Sequence, residues 1–156
     1  MTSVNFVLND TPVVADVDDD ELLLDTLRDR FGTTSVRYSC GIGVCGTCTT
    51  LLDGDAVSSC LQLTQMVEGR RIDTAERVLD EGGRRCDVRD AFVGSRAFQC
   101  SYCIPPLALT VVALTEANPD ITLAEIREEL GGNICRCGSY PQILAAVATL
   151  LKEKKQ

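Results

Sequence analysis

Nine cysteines and not one histidine define the chemistry open to this chain. Three of the cysteines fall in CGIGVCGTC, Cys40 to Cys48, with three glycines among them. Without imidazole there is no Cys/His zinc pattern and no Cys/His or Ser/His nucleophile pair. An odd number of cysteines cannot pair completely, and disulfides are rare in reducing compartments. Most of these thiols therefore read as metal ligands.

The spacing narrows the metal. Cys40, Cys45 and Cys48 form C-x4-C-x2-C, and Cys60 follows after eleven intervening residues. That order is the plant-type ferredoxin spacing, in which four thiolates bind a [2Fe–2S] cluster. Gly41, Gly43 and Gly46 suit a loop that wraps such a cluster. They bring backbone N–H groups near the sulfides and adopt dihedrals that side chains resist. Those N–H groups also offset negative charge and help set the potential. Structural zinc sites of four cysteines usually present two C-x2-C knuckles, a different shape.

A second set uses other spacings. Cys100 and Cys103 make C-x2-C in QCSYC, and Cys135 and Cys137 make C-x-C in NICRCG. Each pair stands just ahead of an expected helix start, near Pro105 and Pro141, where proline is favoured. The partial positive charge of a helix N-terminus favours thiolate and an anionic cluster. Two such starts facing each other would make a four-thiolate cup. On spacing alone this set fits a cluster or a zinc ion. Cys86 is left over at an expected helix start and reads as a buried or partly buried free thiol.

The elements that must position these residues fall into two halves. Val4, Phe6 and Leu8, then Val13, Ala15 and Val17, alternate about an Asn9-Asp10 turn and predict a hairpin. DDDELLLDTLRDRFG predicts a helix starting over Asp18 to Glu21, with Leu23, Leu24, Leu27 and Phe31 on its apolar face and Gly32 at its end. Strands are expected over Cys48 to Leu52, after the Asp53-Gly54 turn, and over Arg71 to Thr74. Helices are expected near Asp87–Arg96, Pro105–Ala117, Leu123–Leu130 and Pro141–Lys152, with short connections that suggest a bundle. The fold class is α+β, divided at residues 1–76 and 77–156. The closing KEKK reads as a solvated helix end.

The net charge of -8 argues against nucleic acid and anionic membrane surfaces, which attract basic patches. No apolar stretch approaches membrane-spanning length, and MTSVNFVLND lacks the charged and apolar regions of a signal peptide. The expected setting is the cytoplasm.

Taken together, SCGIGVCGTC, the SSC at Ser58–Cys60, AFQCSYC and GGNICRCGSY resemble the small iron–sulfur subunit of the molybdenum hydroxylases, the xanthine oxidase and aldehyde oxidoreductase family. The resemblance covers nearly the whole chain. It implies a β-grasp ferredoxin domain followed by a four-helix bundle, with one [2Fe–2S] cluster in each. Cys40, Cys45, Cys48 and Cys60 would bind the outer cluster. Cys100, Cys103, Cys135 and Cys137 would bind the one near a molybdenum–pterin cofactor held by a large subunit. Gln99 matches a position that hydrogen-bonds the pterin in relatives, and Cys137 lies close to the pterin there. Without the resemblance, Gln99 reads equally as a polar residue at a helix–loop junction.

The implied function is electron relay from molybdenum to FAD on a third, medium subunit, within a heterotrimer that can dimerise. Two stretches depart from the family pattern. CSYCIPPL stands where CGYCTPGM is common, and Gly138-Ser139-Tyr140 stands where Thr-Gly-Tyr is common. A Gly-Thr-Tyr version belongs to the isoquinoline-oxidising branch, some of whose members lack the FAD subunit, so another acceptor is open. The substrate is bound by another chain, and nothing in these residues names it. A free-standing ferredoxin with an added helical domain is the rival reading.

Overall fold

A computed structural model describes residues 1–153. The chain opens with β1 (Thr2–Leu8) and β2 (Thr11–Val17), paired antiparallel with Leu8 opposite Thr11. Asn9 and Asp10 both take positive φ, 50° and 69°. That is the turn whose twist matches a two-residue hairpin, and Asn and Asp tolerate it. Next come β3 (Thr49–Leu52), β4 (Asp55–Ser58) and β5 (Arg71–Asp73). They complete a mixed sheet of order β2-β1-β5-β3-β4, in which only the β1–β5 pairing is parallel.

One face of this sheet is covered by the segment after β2. Leu23, Leu24 and Leu27 are fully buried there with Val4, Phe6 and Ile72. Phe31 meets Phe6 edge to face, ring centroids 5.6 Å apart. The helix itself is shorter than its sequence pattern predicts. It begins at α1 (Leu23–Asp25) and widens into a π turn over Thr26–Arg30, so Asp18 to Glu21 do not form its first turn. Three contacts hold the preceding residues out of helical register. Leu22 bridges to Leu63, and Glu21 bonds Arg30 at 2.6 Å and the Thr26 hydroxyl at 2.6 Å. Gly32 does end the segment, with φ +66°.

The second half is helical. After a short α2 (Ala75–Val78), unforeseen in the sequence, come α3 (Cys86–Gly94), α4 (Ile104–Ala117), α5 (Leu123–Glu129) and α6 (Tyr140–Glu153). Thr122 caps α5 reciprocally with Glu125, the capping box that satisfies two orphan N–H groups. Phe92, Leu107, Ile126, Ile143 and Leu150 fill the core between the helices. At the chain's end Lys152 and Glu153 are exposed, and the rest of the KEKK segment lies outside the described residues.

The two halves pack directly. α4 lies against β3, and Leu51 of β3 joins the helical core. Buried Asp73, at the end of β5, receives Arg71 and Arg84, each at 2.9 Å. Arg84 and Arg85 both reach Glu116 at the end of α4. A buried carboxylate needs such partners, and these fasten the end of the central strand β5 to the helices.

Candidate metal centres

The β3–β4 hairpin explains why Cys60 sits so far along the sequence from Cys48. Thr49 pairs with Ser58 at the open end of the hairpin. Cys48 precedes that pair and Cys60 follows it, so the strands deliver both thiols to one place. The Ser59 N–H and hydroxyl both donate to the Cys48 carbonyl, at 3.3 and 2.8 Å. Both cysteines are only 3% exposed.

Cys40 and Cys45 form the other pair of this set. The loop is closed at its ends by Arg37 N–H donating to the Thr47 carbonyl at 3.0 Å. Within it, the N–H groups of Ile42, Val44 and Cys45 converge on Cys40 Sγ at 3.4 to 3.5 Å. Gly41, Gly43 and Gly46 all have positive φ, between 65° and 74°, which turns those N–H groups inward. The convergence holds the Cys40 thiol down at about 6, the Ile42 N–H contributing most. Burial and then the neighbouring Cys48 sulfur push Cys60 up to about 11. A bound metal's charge would offset that rise, because a coordinating thiol gives up its proton to the metal.

The second set is built from two helix starts. Cys103 stands immediately before α4, whose first turn carries Pro105 and Pro106. Cys135 and Cys137 precede α6, with Gly138 turning the chain at φ +80°. Cys100 and Cys137 bring their sulfurs within 3.5 Å, and Cys103 and Cys135 lie near enough to shift each other's ionisation in opposite directions. Burial, followed by Cys135, drives Cys103 up to about 12. The Tyr102 N–H and then the Cys137 thiol lower Cys100. Burial opposes ionisation of Cys135, but N–H groups of Ser139 and Cys137 and the Cys103 thiol outweigh it. Among the described residues the buried Ser139 hydroxyl has no hydrogen-bond partner, and it lies near enough to Cys135 to help lower that thiol.

Eight thiols thus stand as four pairs, two in each set. Among the described residues no three metal-binding side chains gather as ligands of one ion. A two-iron cluster takes its thiolates two per iron, and inward N–H groups and a spare hydroxyl suit its negative charge. The residues fit the group. The second set is no more buried than the first. Cys100 is exposed and Cys137 half-exposed, while Cys40 and Cys45 are half-exposed in the first set. Gln99, just before Cys100, donates from Nε2 to the Cys137 carbonyl at 3.1 Å. Cys86 begins α3 and is half-buried, as expected.

The sequence did not single out the residues that join the two sets. Ile134 N–H donates to the Cys45 carbonyl at 2.8 Å, and the Tyr102 hydroxyl donates to the Tyr38 carbonyl at 2.5 Å. Within the second set's own loop, the Tyr140 hydroxyl accepts from Cys135 N–H at 3.0 Å and donates to the Asn133 carbonyl at 2.8 Å. Their signal was adjacency alone: each lies within five residues of a cysteine.

Residues 6–87 match the family described as 2Fe-2S iron-sulfur cluster binding domain, and residues 74–148 match the [2Fe-2S] binding domain. The nicotinate dehydrogenase small FeS subunit of Eubacterium barkeri is 39% identical over 145 residues, 93% of this chain and 92% of its own length. The xanthine dehydrogenase iron-sulfur-binding subunit of Escherichia coli O157:H7 is 40% identical over 135 residues, 85% and 83% of the two chains. This chain belongs to the small iron–sulfur subunits of the molybdenum hydroxylases. A chain of quinoline 2-oxidoreductase from Pseudomonas putida 86 superposes on this iron–sulfur subunit with a TM-score of 0.89 at 32% identity, covering 99% of this chain and 96% of that one. The α+β architecture, a ferredoxin domain followed by a helical one, is the family's. The subunit serves electron transfer in a molybdenum-dependent oxidoreductase whose relatives are small subunits of larger complexes. No helix among its described residues is long and apolar enough to cross a membrane.

Proposed function

We propose that the subunit passes electrons between a molybdenum–pterin centre in a large partner and an acceptor, FAD on a medium subunit or another carrier, by way of two [2Fe–2S] clusters. The observation that carries this reading is the arrangement of eight thiols as two sets of two pairs. A cluster held by such a set supplies one-electron redox chemistry. Cys40, Cys45, Cys48 and Cys60 hold the outer one. Cys100, Cys103, Cys135 and Cys137 hold the one nearer molybdenum. The halves divide near residues 76 and 77.

The chain's own residues orient and insulate these sites. The loop N–H groups stabilise thiolate at Cys40. Cys103 and Cys135 are withdrawn from water among the helices, which shifts a bound cluster's potential. Gln99 and Cys137 present the accessible edge of the second set and are the residues we assign to the pterin. Beside that edge lies a cavity of about 480 Å³ lined by Phe92, Phe98, Ser101, Ile104 and Pro105. Around the first set, Tyr38, Ile42, Val44 and Leu61 are each more than half exposed. Apolar rims beside both sets are what a docked subunit covers, which favours a complex over a free carrier. The complex is a heterotrimer able to dimerise, and it works in the cytoplasm, where unpaired thiols persist.

Affinity purification of the tagged subunit from its own host tests the reading. A molybdenum-containing large chain should accompany it, and substrate of that complex should bleach the visible absorption of the subunit. A chain that purifies alone, with its absorption unmoved by the host's large subunits, would overturn it in favour of a free-standing carrier.

A further inference from the structure

Between the two sets, one dipeptide grips another. Ile134 N–H donates to the Cys45 carbonyl at 2.8 Å, and Asn133 Nδ2 donates to the next carbonyl, Gly46, at 3.0 Å. Asn133 Nδ2 also lies 3.4 Å from Thr49 Oγ1, while its Oδ1 accepts from the Thr110 hydroxyl at 3.0 Å. The side chain is 5% exposed, so no water can stand in for these partners. Its own backbone is pinned as well, the N–H on the Leu130 carbonyl and the carbonyl under the Tyr140 hydroxyl.

Gly46 completes the grip. A Cβ there would stand 2.4 Å from the Gly132 carbonyl and 2.6 Å from Asn133 Nδ2. The two loops are in backbone contact, closer than any side chain allows. This adds a second reason for a glycine that the sequence explained only by cluster wrapping.

We propose that Asn133 is a positioning residue for electron transfer, fixing the separation of the two thiolate sets and the short bonded route Cys45 C=O···H–N Ile134 that joins them. The proposal rests on the two-cluster reading above. The route is direct. It leaves the Cys45 sulfur through that residue's own backbone, crosses one hydrogen bond, and reaches Cys135 in the adjoining residue. Without the amide, Gly46 C=O keeps only donors of its own loop, Thr49 Oγ1 at 2.7 Å and Thr49 N–H at 3.3 Å, Thr110 Oγ1 keeps only the Pro106 carbonyl of its own helix at 3.1 Å, and the side-chain tie between the loops is lost. Asn133 touches no thiol, so its effect must come through geometry.

The test uses the complete complex reduced with dithionite. Its readouts are iron content, the two paramagnetic signals, and the magnetic splitting between them, which depends on how far apart and how well connected the centres are. Asn133→Ala should keep the iron and both signals, narrow or abolish the splitting, and slow equilibration between centres after rapid photoreduction. Thr110→Val, which removes only the hydroxyl donated to Oδ1, should move the splitting the same way by less. A merely structural role would lower the melting temperature and leave the splitting unchanged in Asn133→Ala; that result overturns the proposal. If Asn133→Ala loses iron, an unchanged splitting in Thr110→Val overturns it instead. Absence of two signals in the parent complex would sink the two-cluster reading, a separate failure.

Discussion

Gln99 and Cys137 are thirty-eight positions apart in sequence, yet the Gln99 side-chain amide donates to the Cys137 backbone carbonyl at 3.1 Å. Gln99 thereby holds the exposed lip of the second thiol set while its own Oε1 stays free to accept. The residue lies at the surface of the isolated chain, where a polar contact of this kind contributes at most about 1 kcal/mol to folding. Its value is in placement.

Gln99→Ala should therefore melt within a few degrees of the parent and retain its iron. Reduction of the subunit by substrate in the complex should slow, because the lip we assign to the pterin is no longer held. Stopped-flow absorbance measures this. An unchanged rate removes Gln99 from the site.

Cys45→Ser should lose the iron of the first set and keep that of the second. The pairs of the second set are made entirely by residues of the helical half, with Cys100 to Cys137 at 3.5 Å. Iron content should fall by half and one paramagnetic signal should vanish. Loss of both signals, or of neither, would contradict independent sets.

Ser101 sits between Cys100 and the turn into α4 with φ +64°. A side chain in that region costs about 1–2 kcal/mol, while glycine gives back part of the gain through its unfolded-state entropy. Ser101→Gly should thus stabilise the chain by about 0.5–1 kcal/mol, seen as a higher denaturation midpoint. A lower midpoint would mean that the Ser101 side chain contributes more than its backbone strain costs.

Glu21 shows a pH dependence with a definite sign. Its hydrogen bond from Arg30, aided by the Thr26 hydroxyl against the effect of burial, lowers its carboxyl to about 2 from 4.5. A lowered folded value means stability that is fully present above about 4.5 and is lost as pH falls toward 2. Arg30 is 38% exposed, so solvent screening reduces the contribution to about 1–2 kcal/mol. Glu21→Gln should be less stable than the parent by that amount at pH 7, with the gap narrowing below pH 4.5 and closing only as pH falls to about 2. A gap that is constant with pH would show that the ion pair contributes nothing.

The eight thiols were legible because ligand spacing is a local property of the sequence, and the hairpin and helix faces because their periods are. The joints between the halves were not. Asn133 reads as a turn residue after two glycines, and only contact with Gly46, far back in the chain, makes it a buried hub. The start of α1 was set too early for a related reason. Asp18 to Glu21 have the composition of a helix start, but Glu21 is drawn to Arg30 and Leu22 to Leu63. The exposure of the second set was not legible either, since spacing says nothing of burial. Cys100 and Cys137 open onto the surface, where a partner chain can reach them.

The proposed relay requires two separate thiol sets that each hold two irons. Iron and acid-labile sulfide per chain, measured together with the paramagnetic spectrum of the dithionite-reduced protein, test it most directly. About four irons, about four sulfides and two distinguishable signals are the predicted result. About two irons with one signal, or zinc in place of the second pair of irons, would contradict it.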